Sequence, residues 1–413
     1  MNLPPGNDRV SRDAWIIGVV SALVGLTALG FGRFGYALLL PLMREGLGLS
    51  YTQAGLISGA NLCGFLAGAL AGGMLAGWLG ARPVVGTGLV LAALGAGLTS
   101  VSDAAIAVAG WQFLVGFGAA GAIVPAQNLP VVWFPAPRRG FASGIPSAGI
   151  GVGLVVVGMA FPALLQLTIR GLTGWRLAWA TIGGSLLAVS VLSFWLLRES
   201  PAARRDTGRV RDAFRIPGVW RLCSVYIFFG YSYLSYVAFF GAAVAGQRHW
   251  APAAIGGAWA IGGILSISSG LCWGALSDRI GRRRAVSLVF CVMALAYLTM
   301  ALVPWDGAVY ASAALWGIAA WAIPSLAVAV ADDYVGARML HPAMALVNLV
   351  GAVGQISGPV VTGYAVDLTR SFVPGLVLAA VVALAGGATA LTLAEGSRGE
   401  SLRGLTAGRT RGR

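Results

Sequence analysis

The sequence contains no lysine, so all 28 of its basic residues are arginine. Charge of either sign is scarce: 10% of residues are charged, where a soluble domain carries about 25%. With 58% hydrophobic residues over 413 positions, the chain has too few polar side chains to clothe a water-soluble fold. Histidine occurs only at His249 and His341, both near the ends of apolar runs, which argues against a histidine-built metal site or a catalytic triad. The four cysteines, Cys63, Cys223, Cys272 and Cys291, show no C-x-x-C spacing and read as small apolar packing residues. No catalytic constellation is visible, so neither an enzyme nor a cofactor is expected.

What the chain does have is apolar runs of roughly 20 residues from end to end, the length that crosses a hydrocarbon core as helix. Backbone groups in lipid must be satisfied internally, which leaves helices or a closed barrel. Barrel strands would alternate over about ten residues, and these runs do not alternate. The expected fold is an all-α polytopic membrane protein. Gly, Pro and charge punctuate the chain into twelve spans, at 14–41, 52–76, 84–102, 105–131, 142–166, 177–197, 222–246, 253–276, 285–304, 308–331, 343–366 and 373–394. The first is too long for a signal-peptide core and reads as a retained helix. The longest polar interruption, "RESPAARRDTGRVRDAFRIPGVWR" at 198–221, separates an N-terminal six-helix half (1–197) from a C-terminal one (222–394), with a tail at 395–413.

Orientation follows from the arginines. With the N-terminus in the cytoplasm, 22 of the 28 fall in inside segments and five outside, namely Arg44, Arg170, Arg176, Arg248 and Arg370, while Arg33 lies within a span. Excess arginine marks the cytoplasmic side, which predicts both termini and the central loop inside, in the cell's inner (plasma) membrane. The same distribution argues against nucleic acid despite the formal charge of +14, because these arginines flank spans instead of forming one patch. The expected partners are the lipid bilayer and a small solute, and the expected state is a monomer.

Shifting the sequence by 201 residues brings "GGMLAGWLGAR", 72–82, onto "WGALSDRIGRR", 273–283, with no gap back to the spans where Arg33 falls on Leu234. Two parallel, pseudo-symmetric six-helix bundles follow, an architecture typical of secondary transporters.

In the second copy, "GALSDRIGRRR", 274–284, Gly274 permits close helix contact and Gly281 a tight reversal. Asp278 can cap a neighbouring helix N-terminus, and Arg279, Arg282 and Arg283 hold the cytoplasmic face. The stretch resembles the signature loop of the major facilitator superfamily, G-x-L-x-D-R-x-G-R-R, and stands between spans eight and nine as in that family. The resemblance covers the whole chain. It implies a twelve-helix carrier whose two halves rock about a midplane site, with this loop as a conformational lock. In the first-half copy Gly77 stands where the aspartate would be, though Gly73, Gly80 and Arg82 remain. The lock is therefore expected to lean on Asp278, with its partner near "RRGFASG", 138–144.

Two further segments bear on the resemblance. "WQFLVGFGAAG", 111–121, is similar to the family's R-x-x-x-G-x-G-x-A pattern, but Gln112 occupies the arginine position. The family ties that arginine to proton coupling, so ordinary proton-driven transport is not expected. Span five, "GIGVGLVVVGMAFP" at 149–162, spaces its glycines for close helix approach and lacks the Gly-Pro pair of the family's antiporters. The segments "GFGRFGYALLLPLM" and "WFPAPRRGFASGIPSAGIGVG" together resemble the YbfB/YjiJ-type branch, which fixes no substrate.

Polar residues inside spans are the candidate site. Arg33 lies in the outer half of span one, on a face shared with Gly30 and Tyr36. No carboxylate lies deep in any span: Asp332, Asp333 and Asp367 fall at span ends and Asp103 in a turn. A guanidinium there can bind a carboxylate through two parallel bonds, clamp backbone carbonyls, or snorkel to the headgroups. On span seven, Tyr226, Phe229, Tyr233, Tyr236 and Phe240 share a face, with Tyr233 and Tyr236 near the level of Arg33 by the repeat. They form either packing or a cavity wall. Span eleven aligns Asn348, Gln355 and Thr362, and span four carries Gln112 and Gln127. Such amides serve either as ligand contacts or as glue between helices. Asn61, Trp316 and Trp321 complete the candidates. The favoured function is a secondary transporter for a small organic anion, working by alternating access, with coupling through a proton carried on the substrate or through exchange. The alternatives are an efflux pump for hydrophobic or cationic compounds and a transporter-like sensor signalling through the central loop.

Overall fold

The computed structural model describes residues 10–135, 138–169, 172–199 and 213–393. Twelve of its helices are long and apolar enough to cross a membrane, so the chain is a multi-pass membrane protein. In chain order the helices are α1 (Arg12–Val24), α2 (Tyr36–Leu47), α3 (Tyr51–Leu79), α4 (Ala81–Val101), α5 (Ala105–Trp133), α6 (Arg139–Leu164) and α7 (Gly174–Leu196). They continue with α8 (Pro217–Arg248), α9 (Pro252–Ile280), α10 (Arg282–Leu302), α11 (Gly307–Ala319), α12 (Ala322–Thr369) and α13 (Val373–Ala390). Span one runs from α1 through α2. Span ten is α11 with the start of α12, which carries a non-helical Gly336 (φ 68°) before continuing as span eleven.

Helix ends reproduce the repeat. Tyr51–Leu79 and Pro252–Ile280 are offset by 201 residues, as are Ala81–Val101 and Arg282–Leu302. Between them Gly80 (φ 94°) and Gly281 (φ 91°) adopt the same backbone conformation, which a side chain would strain. The reversal expected of Gly281 is therefore present twice. Gly73 and Gly274 behave differently from expectation. No described atom lies within 4 Å of where a Cβ would stand on either, so neither is a site of close helix contact.

Span one is not a uniform helix. Gly25–Phe31 is π-helical and residues 32–35 form a turn. The N–H of Gly32 reaches Thr27 O and that of Phe34 reaches Leu29 O, each at 3.1 Å and five residues back. The glycines of this stretch meet those of α6. A Cβ on Gly25 would stand 2.3 Å from Pro146 O, one on Gly30 2.7 Å from Gly153 Cα, and one on Gly149 2.0 Å from Ala22 O. Span one and span five thus touch backbone to backbone, as the spacing in span five predicts.

Between α6 and α7 lies an antiparallel pair, β1 (Thr168–Ile169) and β2 (Leu172–Thr173), in which Thr168 faces Thr173 and Ile169 faces Leu172. Nothing in the sequence signals a strand there. Of the cysteines, Cys223 alone is buried; Cys63, Cys272 and Cys291 are exposed on their helices, so the packing role holds for Cys223 only.

The chain forms two compact units. The first is Met1–Arg205 with Val237–Ile267 and Pro359–Phe372; the second is Asp206–Tyr236 with Ser268–Gly358 and Val373–Arg413. Ile17, Leu39, Leu40, Trp179 and Trp259 are fully buried in the first unit, and Tyr236, Phe290, Tyr297 and Trp316 in the second. One end of the first unit carries the arginine-poor loops at 48–50 and 102–104, where Arg176 donates to Ser100 O and Ser102 O and the Trp175 ring lies against Gly46. The other carries Gly80.

Candidate functional site

Arg33 stands in the turn that ends the π-helical stretch, its N–H bonded to Leu29 O at 3.1 Å. Its side chain is half-buried, and the guanidinium carbon lies 5.1 Å from the centre of the Phe65 ring on α3. That contact places the cation on the negative face of an aromatic ring. Tyr36, one turn on, is buried and donates its O–H to Ala54 O at 2.8 Å. Both residues therefore address α3, but at positions 11 residues apart, about 16 Å along the helix. The Tyr36 hydroxyl is committed to backbone at that point.

One helical turn from Phe65, the Asn61 amide donates to Gln112 O and Gln112 Oε1, each at 3.1 Å. Gln112 Nε2 donates to Thr99 Oγ1 at 3.3 Å, and the Thr99 hydroxyl donates to Gly95 O at 2.8 Å. Gln112 is 1% exposed. The position where the family resemblance implies an arginine is thus a neutral amide tying α3, α4 and α5 together, so Gln112 and Asn61 act between helices. Gln127, on the same helix, is exposed.

In the second unit the aromatic stripe of α8 forms a run of tilted ring contacts. Tyr226 and Phe229 lie 5.5 Å apart, Phe229 and Tyr233 5.0 Å, and Tyr233 and Trp316 of α11 5.7 Å between ring centres. Tyr236 sits 5.1 Å from Tyr297 of α10, and its oxygen lies 2.8 Å from Ser312 Oγ. Because Ser312 donates its one proton to Ala296 O at 2.7 Å, Tyr236 is the donor in their bond. Phe240 belongs to the first unit, 4.9 Å from the Trp259 ring. On α12, Asn348 is exposed and donates to Met344 O of its own helix at 2.8 Å. Gln355 is half-buried, its Cγ 2.6 Å from where a Cβ on Gly230 would stand. Thr362 is fully buried.

At the signature loop, Asp278 pairs with Arg282 at 2.9 Å. Arg282 also donates to Ser277 Oγ at 2.6 Å and lies 3.6 Å from Asp333. Arg279 is exposed. In the degraded first copy, the helix N-terminus after Gly80 is capped from elsewhere. Glu199, beyond the end of α7, accepts Ala81 N at 3.0 Å and Arg82 N at 2.9 Å. Sequence reasoning passed over Glu199. The signal available was a lone carboxylate just past the end of a span, and nothing local points to its partner.

Residues 22–359 and 222–404 match the family model described as Major Facilitator Superfamily. The chain is 24% identical over 193 residues to SauU of Cupriavidus necator, named a probable sulfoacetate transporter; that match covers 47% of this chain and 43% of the other. It is 27% identical to monocarboxylate transporter 13 of Rattus norvegicus over 76% of this chain and 73% of that one. To the hexuronate transporter of Bacillus subtilis it is 22% identical over 85% of this chain and 88% of that one. Among solved structures, it is similar to a bacterial homologue of the human lysosomal transporter Spinster in an inward-facing, unoccupied conformation. There the TM-score is 0.76 at 17% identity, covering 93% of this chain and 97% of that one. At that identity the likeness is one of fold.

Proposed function

The chain belongs to the Major Facilitator Superfamily, and from that premise we propose that it is a secondary transporter for a small organic anion, with Arg33 as the charge anchor. The observation that carries the proposal is the setting of Arg33. Its guanidinium is half-buried in a broken stretch of span one, against the Phe65 ring, and a charge within a span is costly, roughly 2.5–3.5 kcal/mol for an arginine at a helix centre by insertion scales. A planar fork of donors at such a place matches a carboxylate or sulfonate. Relatives named for sulfoacetate, monocarboxylates and hexuronate support the same substrate chemistry. Among the described residues every carboxylate within the spans lies within about two turns of a span end, which supports coupling by exchange or by a proton that travels on the substrate. The arginine distribution supports placement in the inner membrane with both termini cytoplasmic, and Asp278 is proposed to serve as the lock of the cytoplasmic side.

Thermal unfolding of the purified protein with sulfoacetate, a hexuronate and lactate, against cationic dyes, tests this directly. At least one anion is expected to raise Tm in the wild type and to lose that effect in Arg33→Ala. Stabilisation by cationic dyes alone, or anion stabilisation that survives Arg33→Ala, overturns the proposal.

A further inference from the structure

We infer that Asp367 is a latch that holds the arginine-poor end of the first unit closed, and that each transport cycle has to break it. The N-terminus of α3 needs a partner from outside its own helix. A helix start leaves backbone N–H groups unsatisfied within the helix, and α3 supplies only part of the remedy locally. Ser50 Oγ accepts Gln53 N at 3.1 Å, while Gln53 Oε1 accepts Ser50 N at 2.9 Å. The first two helical N–H groups turn to a residue more than 300 positions away. Asp367, near the end of α12, accepts Tyr51 N at 2.9 Å, Thr52 N at 2.8 Å and the Thr52 hydroxyl at 2.5 Å. A carboxylate at a helix N-terminus is favoured both by these donors and by the helix dipole.

The surroundings brace the same junction. The Tyr51 ring lies 5.0 Å from Phe372 and 6.2 Å from Phe239, and the Arg44 guanidinium stands 4.5 Å over its face. Beneath the latch the backbones touch: a Cβ on Gly363 would stand 2.3 Å from Tyr51 O, and one on Gly55 2.5 Å from Pro359 O.

Three features make this a latch instead of a permanent clasp. Residues 51–52 and 367 belong to opposite sequence halves, whereas the comparable Glu199 cap joins two helices of one half. Tyr51, Thr52 and Asp367 are only half-buried, so water can take over their hydrogen bonds when the junction parts. The device is also one-sided. Under the 201-residue repeat Tyr51 corresponds to Pro252, which has no N–H to give, and Asp367 corresponds to Gln166, which has no charge. The requirement that the latch open rests on the alternating-access reading above.

The test uses the full chain with its four native cysteines replaced by alanine and a single probe, Val366→Cys. Val366 is 2% exposed, beside Asp367. In intact cells, Asp367→Asn is expected to raise labelling of that probe by an impermeant maleimide about tenfold, as loss of a charge-assisted bond implies. Thr52→Val should raise it in the same direction, and unchanged labelling in both overturns the latch. A Thr52→Cys, Asp367→Cys pair, oxidised to a disulfide, should stop uptake and recover it on reduction. Undiminished uptake by the oxidised protein also overturns it. Labelling needs no substrate, so it stays readable even if the anion reading fails.

Discussion

At the scale of single residues, Arg33 and Gln112 show how this membrane interior handles polarity. Arg33 keeps its charge in a place where the helix is already broken and an aromatic face is at hand. If it anchors an anion through a planar fork, then charge alone does not suffice. Arg33→Lys should retain folding but weaken binding of the stabilising anion by about tenfold. Isothermal titration calorimetry checks this, and equal affinity would mean that a point charge is enough. Gln112 avoids charge and spends its amide on two other helices. Gln112→Leu removes the side-chain acceptor of the Asn61 amide and the donor to the Thr99 hydroxyl, while their bonds to Gln112 O and Gly95 O remain, at a cost of about 0.5–1.5 kcal/mol. A lowered Tm in detergent, with anion affinity kept, is the expected result. The sequence shows that position 112 lacks the arginine of the family pattern. It does not show what the glutamine binds, because Asn61 and Thr99 lie on other spans with no shared periodicity.

At the scale of elements, the decisive places are those where glycine meets backbone. The glycine spacing of span five announces close approach, and the structure places Gly149 and Gly153 against span one. Gly30→Ala and Gly153→Ala each drive a methyl into backbone that cannot swing aside, and overpacking of this kind costs about 1–3 kcal/mol. The two together should be less damaging than the sum, since both push on one contact. Gly73→Ala, with open space around it, should be neutral in the same thermal-unfolding measurement. The number and extent of the spans are legible from hydropathy, with ends that differ by a few residues. The π-helical turn is not, because its hydrogen-bond register depends on how α6 presses on it rather than on the composition of residues 25–35.

For the molecule as a whole, the repeat is the most informative feature of the sequence. It aligns α3 with α9 and α4 with α10 and sets Gly80 and Gly281 in one backbone conformation. What it hides is where the two halves differ in carboxylate use, since Glu199 and Asp367 act on donors far away in sequence. The signature loop is the place where this asymmetry becomes testable. Asp278 is held by Arg282, and Arg282 also reaches Ser277 and Asp333. Asp278→Asn therefore leaves the loop with a second acidic partner for Arg282 and should not unfold the protein. It does remove the charge that fixes the guanidinium, and the proposed cytoplasmic lock with it. Gly77, at the equivalent place in the first half, has no described atom within 4 Å of where a Cβ would stand, so Gly77→Ala displaces nothing. Initial uptake rates in proteoliposomes should fall several-fold for Asp278→Asn. For Gly77→Ala they should stay within about a factor of two, the range of substitutions that touch no special feature. Equal losses at both positions would mean that the two loops share the lock after all, despite the missing aspartate.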